Sequence, residues 1–594
     1  MLVIALQPRD LLFFGIFIIA NLFLLRILAE PSIGPVRYQY AGFDWQTAEH
    51  PLFVPSESKE LTVELPLQLS WLHPNVFYVK PDDCMQQLVI NDVVFKGESE
   101  NFCDYSTLGQ PLDMSAYLKA GENLLRFTLV DNGGKGGLRI TPSRTDGILL
   151  TLNLLLILSS AGLALLACAL FAKSKLQRQL LSIFVGGSAL RLLYMLSTHY
   201  FVRGHDTDDH IKYIRFVAEN FAMPPASEGF VFHHPPLYYF IGALVMRFDF
   251  LLGRSHDEVI LHDLQVLSLI LSIATLGIAV WIAQKLFARQ GAYAVLFLSV
   301  VATLPSLIFL AARITNGTLD ILLGFLCFGL LVQWWQSRRP RDWYLLVICI
   351  AFASLTRINN LAFLPIAFLL FPLISRISWR KRVGHFMAGS LLFVLLTIWF
   401  PIHRFVTETD KSNMFSLGNN AMHSGLRLET TIENVFTFNP IAFLRVPFNH
   451  PWEDMARRQF FPEYFFRSAF FGEFQFPDIF VGLAEVLLFV ASCALIFLVI
   501  GFWKAGILRI RESLPITLLF VLLFGAQMAY RVFAPYSANQ DFRHSLLLLL
   551  PISYFILTGI QESPKSFAAF GRYLVVTMAS LCAAFIVLLH FYES

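Results

Sequence analysis

The fold is decided by a stretch in which an apolar run ends in an acidic one. Residues 180–216 read LLSIFVGGSALRLLYMLSTHYFVRGHDTDDHIKYIRF. Residues 180–199 are long and apolar enough to cross a bilayer, whose hydrocarbon core of about 30 Å needs about 20 apolar residues per helix. The carboxylates of Asp206, Asp208 and Asp209 follow directly. A membrane helix that leads into three acids predicts a polar site at the membrane surface.

The whole chain has the composition of a polytopic membrane protein. Of its 594 residues, 56% are hydrophobic and 15% are charged, and the mean hydropathy is +0.60. Ordinary soluble domains contain about 25% charged residues, because a soluble surface needs charge to remain in water. These values exclude a soluble, a disordered and a collagen-like protein. A net charge of +3 gives no reason to expect nucleic acid as a partner.

Apolar runs recur along the chain and predict a polytopic α-helical membrane protein with about thirteen spans. The predicted spans cover residues 11–28, 148–172, 180–199, 261–283, 291–311, 318–336, 343–357, 360–376, 385–403, 479–503, 515–531, 544–560 and 573–591. The first run lacks a small-residue cleavage site, so residues 1–28 are predicted to remain as a membrane anchor. The run 236–252 begins at Pro235-Pro236 and carries Arg247 and Asp249, so we expect a helix lying on the membrane surface.

Positive charges predict the orientation of these spans. With the N-terminus in the cytoplasm, six short cytoplasmic loops carry seventeen Lys and Arg residues, whereas three short loops on the other side carry four. Cytoplasmic loops of membrane proteins are enriched in Lys and Arg. We therefore expect residues 29–147, 200–260 and 404–478 outside the cytoplasm, joined by a membrane core at 148–403 and C-terminal helices at 479–594.

The first outside segment, residues 29–147, is predicted to be β-structure. Alternating residues at 61–69, in part of 88–95, and at 124–130 are typical of strands, and Asn91-Asp92 is placed to form a hairpin turn. Cys84 and Cys103 fall here and either form a disulfide or remain free.

Two sequences of this segment, LVINDVVFKG at 88–97 and PLDMSAYLKAGENLLRFTLVDNGG at 111–134, resemble the galactose-binding-like jelly roll. The resemblance implies a non-cytoplasmic β-sandwich inserted after the first span. Such a domain either binds carbohydrate or serves as a packing surface over the membrane core.

The acidic loop allows three interpretations. In the first, Asp206 and Asp209 stabilise the start of a helix, by capping it or by placing negative charge at its positive end. This interpretation does not explain His205 and His210. The same four residues include ligand types for a divalent metal, but their spacing fits no metal signature. In the third interpretation, a carboxylate of the loop serves as a general base.

Other polar residues are predicted near the outer membrane face. His233 and His234 open the surface helix in FVFHHPPLYYF at 230–240. Arg191 lies within the third span and either partners the acidic loop or snorkels. The aromatic and charged stretch 461–474 suits either a lid over the site or an interfacial segment. Four arginines fall at the outer ends of spans, and Arg543 and then Arg357 are favoured as phosphate contacts over Arg313 and Arg531.

The order of these motifs resembles the GT-C superfamily of membrane glycosyltransferases, especially the branch with protein O-mannosyltransferases and the lipid A aminoarabinose transferase. The matching segments are the acidic motif at 204–216, HHPPLYYF at 233–240, ARITNGTLDILL at 312–323, LTRINNLAFLP at 355–365 and NQDFRHSLLLLLP at 539–551. The resemblance covers 180–403 well and 479–594 loosely, and the β-segment lies outside it.

The resemblance implies an inverting transfer of a sugar from a polyprenyl-phosphate donor, such as undecaprenyl phosphate, to a protein, lipid or polysaccharide acceptor. It implies a bacterial inner membrane enzyme with its site on the periplasmic side. Alignment on His210 and Tyr213 puts the general base at Asp206. The family often has an acid at the next position, where this chain has Thr207, so three catalytic candidates remain. They are Asp206, Asp208 and Asp209; the expected substrate-binding residues are His205, His210, Tyr213, His233, His234, Arg357 and Arg543.

Two other functions compete with this prediction. A transporter or flippase of a lipid-linked glycan would be expected to carry charges in mid-membrane and repeated, broken helices, and the sequence has no clear internal repeat. A non-catalytic assembly subunit that binds glycan through the β-segment would not need the acidic loop. No cofactor is expected beyond the divalent metal already considered.

Overall fold

The structure is a computed structural model. It describes residues 8–48, 50–97, 101–103, 109–133, 135–144, 146–253, 257–373, 378–408 and 424–592.

The N-terminal β-region contains two antiparallel sheets. The larger sheet has the strand order β3-β2-β5-β11-β7-β8, with β1 added to β5 and β9 to β7, and the smaller has the order β10-β6-β12-β4. The strands are β1 Ser32–Ile33, β2 Val36–Tyr40, β3 Gln46–Ala48, β4 Leu52–Pro55, β5 Glu60–Leu69, β6 Val76–Pro81, β7 Cys84–Ile90, β8 Val93–Val94, β9 Phe102–Cys103, β10 Gln110–Asp113, β11 Gly121–Val130 and β12 Lys135–Pro142.

Local sequence accounts for the pairing in this region. Alternate residues of β11, Leu125, Phe127 and Leu129, are buried in the shared core, as expected for a half-buried strand. Asn91 and Asp92 both have positive φ, the conformation of a two-residue hairpin turn, and join β7 to β8 as predicted. A disulfide links Cys84 and Cys103 across β7 and β9.

Twenty α-helices are present in the described residues. They are α1 Pro8–Ala29, α2 Gly147–Phe171, α3 Lys175–Ser197, α4 Thr207–Asn220, α5 Leu237–Leu251, α6 Asp257–Leu286, α7 Gly291–Thr303, α8 Pro305–Phe309, α9 Gly317–Ser337, α10 Pro340–Ser354, α11 Phe363–Leu370, α12 Trp379–Thr397, α13 Trp399–Thr407, α14 Ile432–Phe436, α15 Pro440–Arg445, α16 Phe461–Phe471, α17 Val481–Gly501, α18 Ile510–Phe533, α19 Leu549–Gln561 and α20 Lys565–Tyr592.

Long apolar helices form the membrane core, for which thirteen spans were predicted. Within the described ranges, eight helices are long and apolar enough to cross a bilayer, or up to ten if each of two bent helix pairs is one span. The predicted spans 343–357 and 360–376 correspond to α10 and to a short apolar helix, Ile358–Leu373. At 1.5 Å rise per residue, helices this short fall below the usual spanning length. The chain is nevertheless an integral membrane protein by the number of its apolar helices.

The stretch 461–474 is an internal element rather than a surface lid. Tyr464, Phe471 and Arg467 of α16 are fully buried. The guanidinium of Arg467 donates to the carbonyl oxygens of Glu463, Ala456 and Val446. Because α16 packs into the membrane core, it fixes the position of the residues that follow it.

The β-region contacts the membrane core beside the acidic loop. Arg144 Nη1 donates to the carbonyl oxygens of Met195 and Thr198 at the end of α3, at 3.2 and 2.8 Å. The guanidinium of Arg139 lies 4.8 Å from the centre of the Phe201 ring. The β-region and the acidic loop therefore lie at the same end of the helix bundle.

Two C-terminal helices pack at backbone contact through glycines. A Cβ at Gly559 of α19 would lie 1.9 Å from the Phe497 carbonyl oxygen, and one at Gly501 of α17 would lie 1.8 Å from that of Phe555. In contrast, a Cβ on the exposed Gly525 of α18 would meet nothing within 4 Å. Glycine is therefore required at the first two positions by close approach.

We predict that Gly559→Ala destabilises the protein and that Gly525→Ala does not. Overpacking against a backbone costs about 1–3 kcal/mol, whereas alanine in an open helix position improves stability by up to about 1 kcal/mol. Thermal unfolding of the detergent-solubilised protein measures both. Equal melting temperatures for the two variants would contradict this helix contact.

Candidate active site

Asp206 occupies the helix-capping position of the acidic loop without capping the helix. It precedes α4 in a left-handed conformation, with φ +55°, and its side chain makes no hydrogen bond to the helix start. Left-handed backbone is uncommon for residues other than glycine, and aspartate is among those that tolerate it. Capping therefore does not explain this acid, whose side chain remains exposed.

Glu473 ties the acidic loop to the last outer segment of the chain. Its Oε1 lies 3.1 Å from Nδ1 of His205 and accepts a hydrogen bond from Arg543 Nη1 at 2.9 Å. Its Oε2 accepts from the Tyr464 hydroxyl at 3.1 Å. The His205 ring also packs on Phe474, with ring centres 4.9 Å apart. One carboxylate thus positions residues from three distant segments.

Arg357 joins the same cluster from the turn after α10. Its Nη2 lies 2.9 Å from Nδ1 of His544, and its Nη1 lies 3.8 Å from a carboxylate oxygen of Asp320. The neighbouring Arg543 places Nε 3.4 Å from Nε2 of His544. The two arginines favoured as phosphate contacts are therefore brought together around one histidine.

The electrostatics of the site differ from those of exposed acids. The surrounding protein partly desolvates Asp206 and raises the pKa of its carboxyl; Arg543 opposes this effect and Glu473 adds to it. Burial would also raise the pKa of Glu473, but Arg543 and His205 outweigh burial and hold this pKa well below its usual range. Burial lowers the pKa of His205 to about 3, so its imidazole is neutral near pH 7.

His210 and Tyr213 are buried beneath the acidic loop, and their contact with a substrate stays a prediction. They are 4% and 0% exposed. The Tyr213 ring stacks on Tyr239 at 3.7 Å, and His210 Nδ1 lies 2.9 Å from the Tyr239 hydroxyl. On its other side, His210 Nε2 lies 3.2 Å from Thr315 Oγ1. Both residues therefore hold α4 against α5.

The remaining predicted residues lie around this cluster. Asp208 is exposed on α4, and Asp209 is paired with Lys212 at 3.0 Å. His233 and His234 are half-buried with ring centres 4.3 Å apart, so their contact with a substrate stays a prediction.

Two arginines considered from the sequence have structural partners elsewhere. Arg191 is buried in α3 and donates to Ser272 Oγ and to the carbonyl oxygens of Gly187, Ala302 and Val301, so it neither snorkels nor contacts the acidic loop. Arg531 donates to the carbonyl oxygens of Glu429 and Gln459. Neither is available for a phosphate.

A metal would not find the ligand set considered from the sequence. His210 is turned toward Tyr239 and Thr315, and Asp209 toward Lys212. In the described part of the chain, the group with suitable geometry is His205, Glu473 and Asp541, whose ligand atoms lie within 4.8 Å of one another. Arg543 already donates to Glu473 and, through its backbone N–H, to Asp541.

Sequence reasoning missed Glu473, Asp541 and His544. Glu473 follows Gly472, which has φ +67° and ends α16. The available signal was a helix-ending glycine followed directly by an acidic residue, but the aromatic residues around it dominated the interpretation of this stretch. Asp541 and His544 lie inside the quoted motif 539–551, where only Arg543 was singled out.

Comparison with known proteins supports the motif-based resemblance. Residues 233–400 match the model of a family described as dolichyl-phosphate-mannose-protein mannosyltransferase. This range contains the surface helix, α9 and the turn that carries Arg357. No curated protein matches the chain.

Three solved structures are similar at low identity. The archaeal oligosaccharyltransferase AglB from Archaeoglobus fulgidus, in complex with an inhibitory peptide and a dolichol-phosphate, has a TM-score of 0.37 and 12% identity over 70% of this chain and 55% of its own. ArnT from Cupriavidus metallidurans, in the apo state, has a TM-score of 0.32 and 12% identity, over 67% of this chain and 77% of its own. The arabinosyltransferase EmbB from Mycobacterium smegmatis has a TM-score of 0.33 and 11% identity, over 99% of this chain and 61% of its own.

The chain thus spans little more than half of the archaeal protein and less than two thirds of the mycobacterial one. The assignment rests instead on the family match and on the motifs that flank it. Together they make residues 233–400 and the flanking motifs similar to membrane glycosyltransferases of the GT-C superfamily.

Proposed function

We propose that this protein transfers a sugar from a polyprenyl-phosphate donor to an acceptor hydroxyl on a protein, lipid or polysaccharide, with inversion at the anomeric carbon. The observation that carries the proposal is an exposed carboxylate, Asp206, beside a cluster that contains two arginines from distant segments, Arg357 and Arg543. Both arginines act electrostatically on Asp206. A base for the acceptor and cations for a phosphate are the groups that this reaction needs.

The acid and the two arginines have separate roles in the reaction. Asp206 takes the proton of the acceptor hydroxyl as the oxygen attacks the anomeric carbon. The bond from that carbon to the phosphate oxygen breaks, and its electron pair leaves with the lipid phosphate. Arg357 and Arg543 neutralise the charge that develops on the phosphate.

Two observations favour Asp206 over its neighbours as the base. Its side chain is exposed but makes no capping hydrogen bond, whereas Asp209 is paired with Lys212. The pKa of Asp206 is raised, which makes its carboxylate a stronger base. Asp208, which is exposed on α4, serves as the comparison for Asp206.

An apolar cavity of about 500 Å³ supports a lipid-linked donor. Among its lining residues are Phe465 and Ala469 of α16, Phe524 and Met528 of α18, and Phe542. Phe542 lies between Asp541 and Arg543 in sequence, so the cavity reaches the proposed phosphate site. Its almost wholly apolar lining fits an isoprenoid chain and gives a sugar few polar partners.

The proposed location is the periplasmic side of a bacterial inner membrane. The distribution of Lys and Arg supports this side, because it predicts that residues 29–147 and 200–260 lie outside the cytoplasm. The contacts of Arg139 and Arg144 with the segment before the acidic loop agree with a common side for both regions.

We predict that Asp206→Asn abolishes sugar transfer, with Asp208→Asn as the matched control. Removing a general base lowers the rate about 10²- to 10⁴-fold, whereas Asp208 is not required for proton transfer. The measurement is single-turnover transfer from polyprenyl-phosphate sugars by purified protein in lipid vesicles. Full activity of Asp206→Asn, or equal losses in both variants, would contradict the assignment of the base.

We also predict that Ala469→Phe impairs transfer from long-chain donors but not from donors with a short isoprenoid chain. Excluding two methylene groups from the cavity costs about 1.6 kcal/mol, or at least about tenfold in kcat/KM. Ala526→Phe, at an exposed position of α18, is the control and should discriminate between the donors as the wild type does. The cavity would not hold the donor chain if Ala469→Phe affected both donors equally.

A further inference from the structure

His544 stands between the two arginines of the proposed phosphate site. Arg357 Nη2 lies 2.9 Å from its Nδ1, and Arg543 Nε lies 3.4 Å from its Nε2. The backbone carbonyl oxygen of His544 accepts a hydrogen bond from Asn359 Nδ2 at 3.0 Å. The turn after α10 and the segment before α19 are thus joined at this residue by both its ring and its backbone.

The surroundings of His544 specify one neutral tautomer. A guanidinium N–H can only donate, so Nδ1 accepts from Arg357. Nε2 lies 3.1 Å from the carbonyl oxygen of Ala538, which can only accept, so this nitrogen carries the hydrogen. A protonated ring would direct an N–H at the guanidinium of Arg357. The contact of Arg543 with Nε2 is then a packing contact beside an uncharged ring.

This arrangement orients Arg357 and leaves its ion pair with a carboxylate long. Its nearest described carboxylate, that of Asp320, lies 3.8 Å away and is itself bound to Asn360 Nδ2 at 2.5 Å. A neutral acceptor fixes the direction of a guanidinium without cancelling its charge. Without the imidazole, nothing in these contacts would keep Arg357 from moving closer to Asp320, whose carboxylate would then neutralise its charge.

We propose that His544 is a positioning residue that holds Arg357 and Arg543 side by side as a clamp for the phosphate of the lipid-linked donor. The proposal rests on the proposed function, because that function supplies the phosphate. His544 itself does not take part in the chemical step. Its contribution is the fixed position of the two guanidinium groups beside each other.

The test compares His544→Phe, which keeps a flat ring but lacks both nitrogens, with His544→Gln, whose amide oxygen can still accept from Arg357. His450→Phe is the control, because His450 lies at the surface near Glu453. Two quantities are measured for the full chain in lipid vesicles: direct binding of undecaprenyl phosphate, and the KM and kcat for a polyprenyl-phosphate sugar.

We expect His544→Phe to weaken undecaprenyl-phosphate binding and to raise the donor KM about tenfold, the equivalent of one lost hydrogen bond to a charged group. The kcat at saturating donor should change little, His544→Gln should recover part of the loss, and the control should behave as wild type. A general folding defect would instead lower the fraction of active protein without changing KM.

Two results would overturn the clamp: unchanged binding and KM in both His544 variants, or a fall in kcat at unchanged KM. Should His544→Phe not fold, His544→Leu takes its place, and wild-type affinity and KM in that variant would overturn the clamp equally. Failure of the proposed function has a different signature, because the wild type would then transfer no sugar from any donor while the phosphate-binding comparison still tests the clamp.

Discussion

A buried carboxylate, that of Glu473, is the interaction on which the site depends. It accepts from Arg543 and Tyr464 and contacts His205. Removing charges from water is costly unless each is paired and hydrogen-bonded, so each of these groups stabilises the others in place. The end of α16, the acidic loop and the segment before α19 must therefore come together as one unit. The placement of Asp206 follows from that assembly, because it is the residue after His205.

The residues beneath the acidic loop complete its support. The stacked rings of Tyr213 and Tyr239, with His210 bound to Tyr239 and Thr315, fix α4 on α5. Asp206 is held above this layer in left-handed backbone, with its side chain unused by the helix. Groups fixed in advance near the reacting atoms lower the cost of reaching the transition state. We therefore assign the chemical role to the exposed Asp206, and the role of holding the acidic loop in position to the buried aromatic layer.

Sequence reasoning succeeded where local patterns decide the outcome. Alternation predicted the strands around Phe127, and Asn91-Asp92 predicted the hairpin, because both depend on neighbours in sequence. It failed for Glu473 and His544, whose roles arise from contacts between segments far apart.

The central claim is that Asp206 is a base whose charge is governed by Glu473 and the arginines around it. The most direct measurement is the pH dependence of kcat/KM for the wild type and for Glu473→Gln. Because Glu473 is one of the charges that raise the pKa of Asp206, its removal lowers this pKa and keeps the base deprotonated to lower pH. The account predicts that the acidic limb of the profile lies above the usual aspartate range in the wild type and moves to lower pH in Glu473→Gln. A limb that stays in place or moves to higher pH in the variant would contradict it.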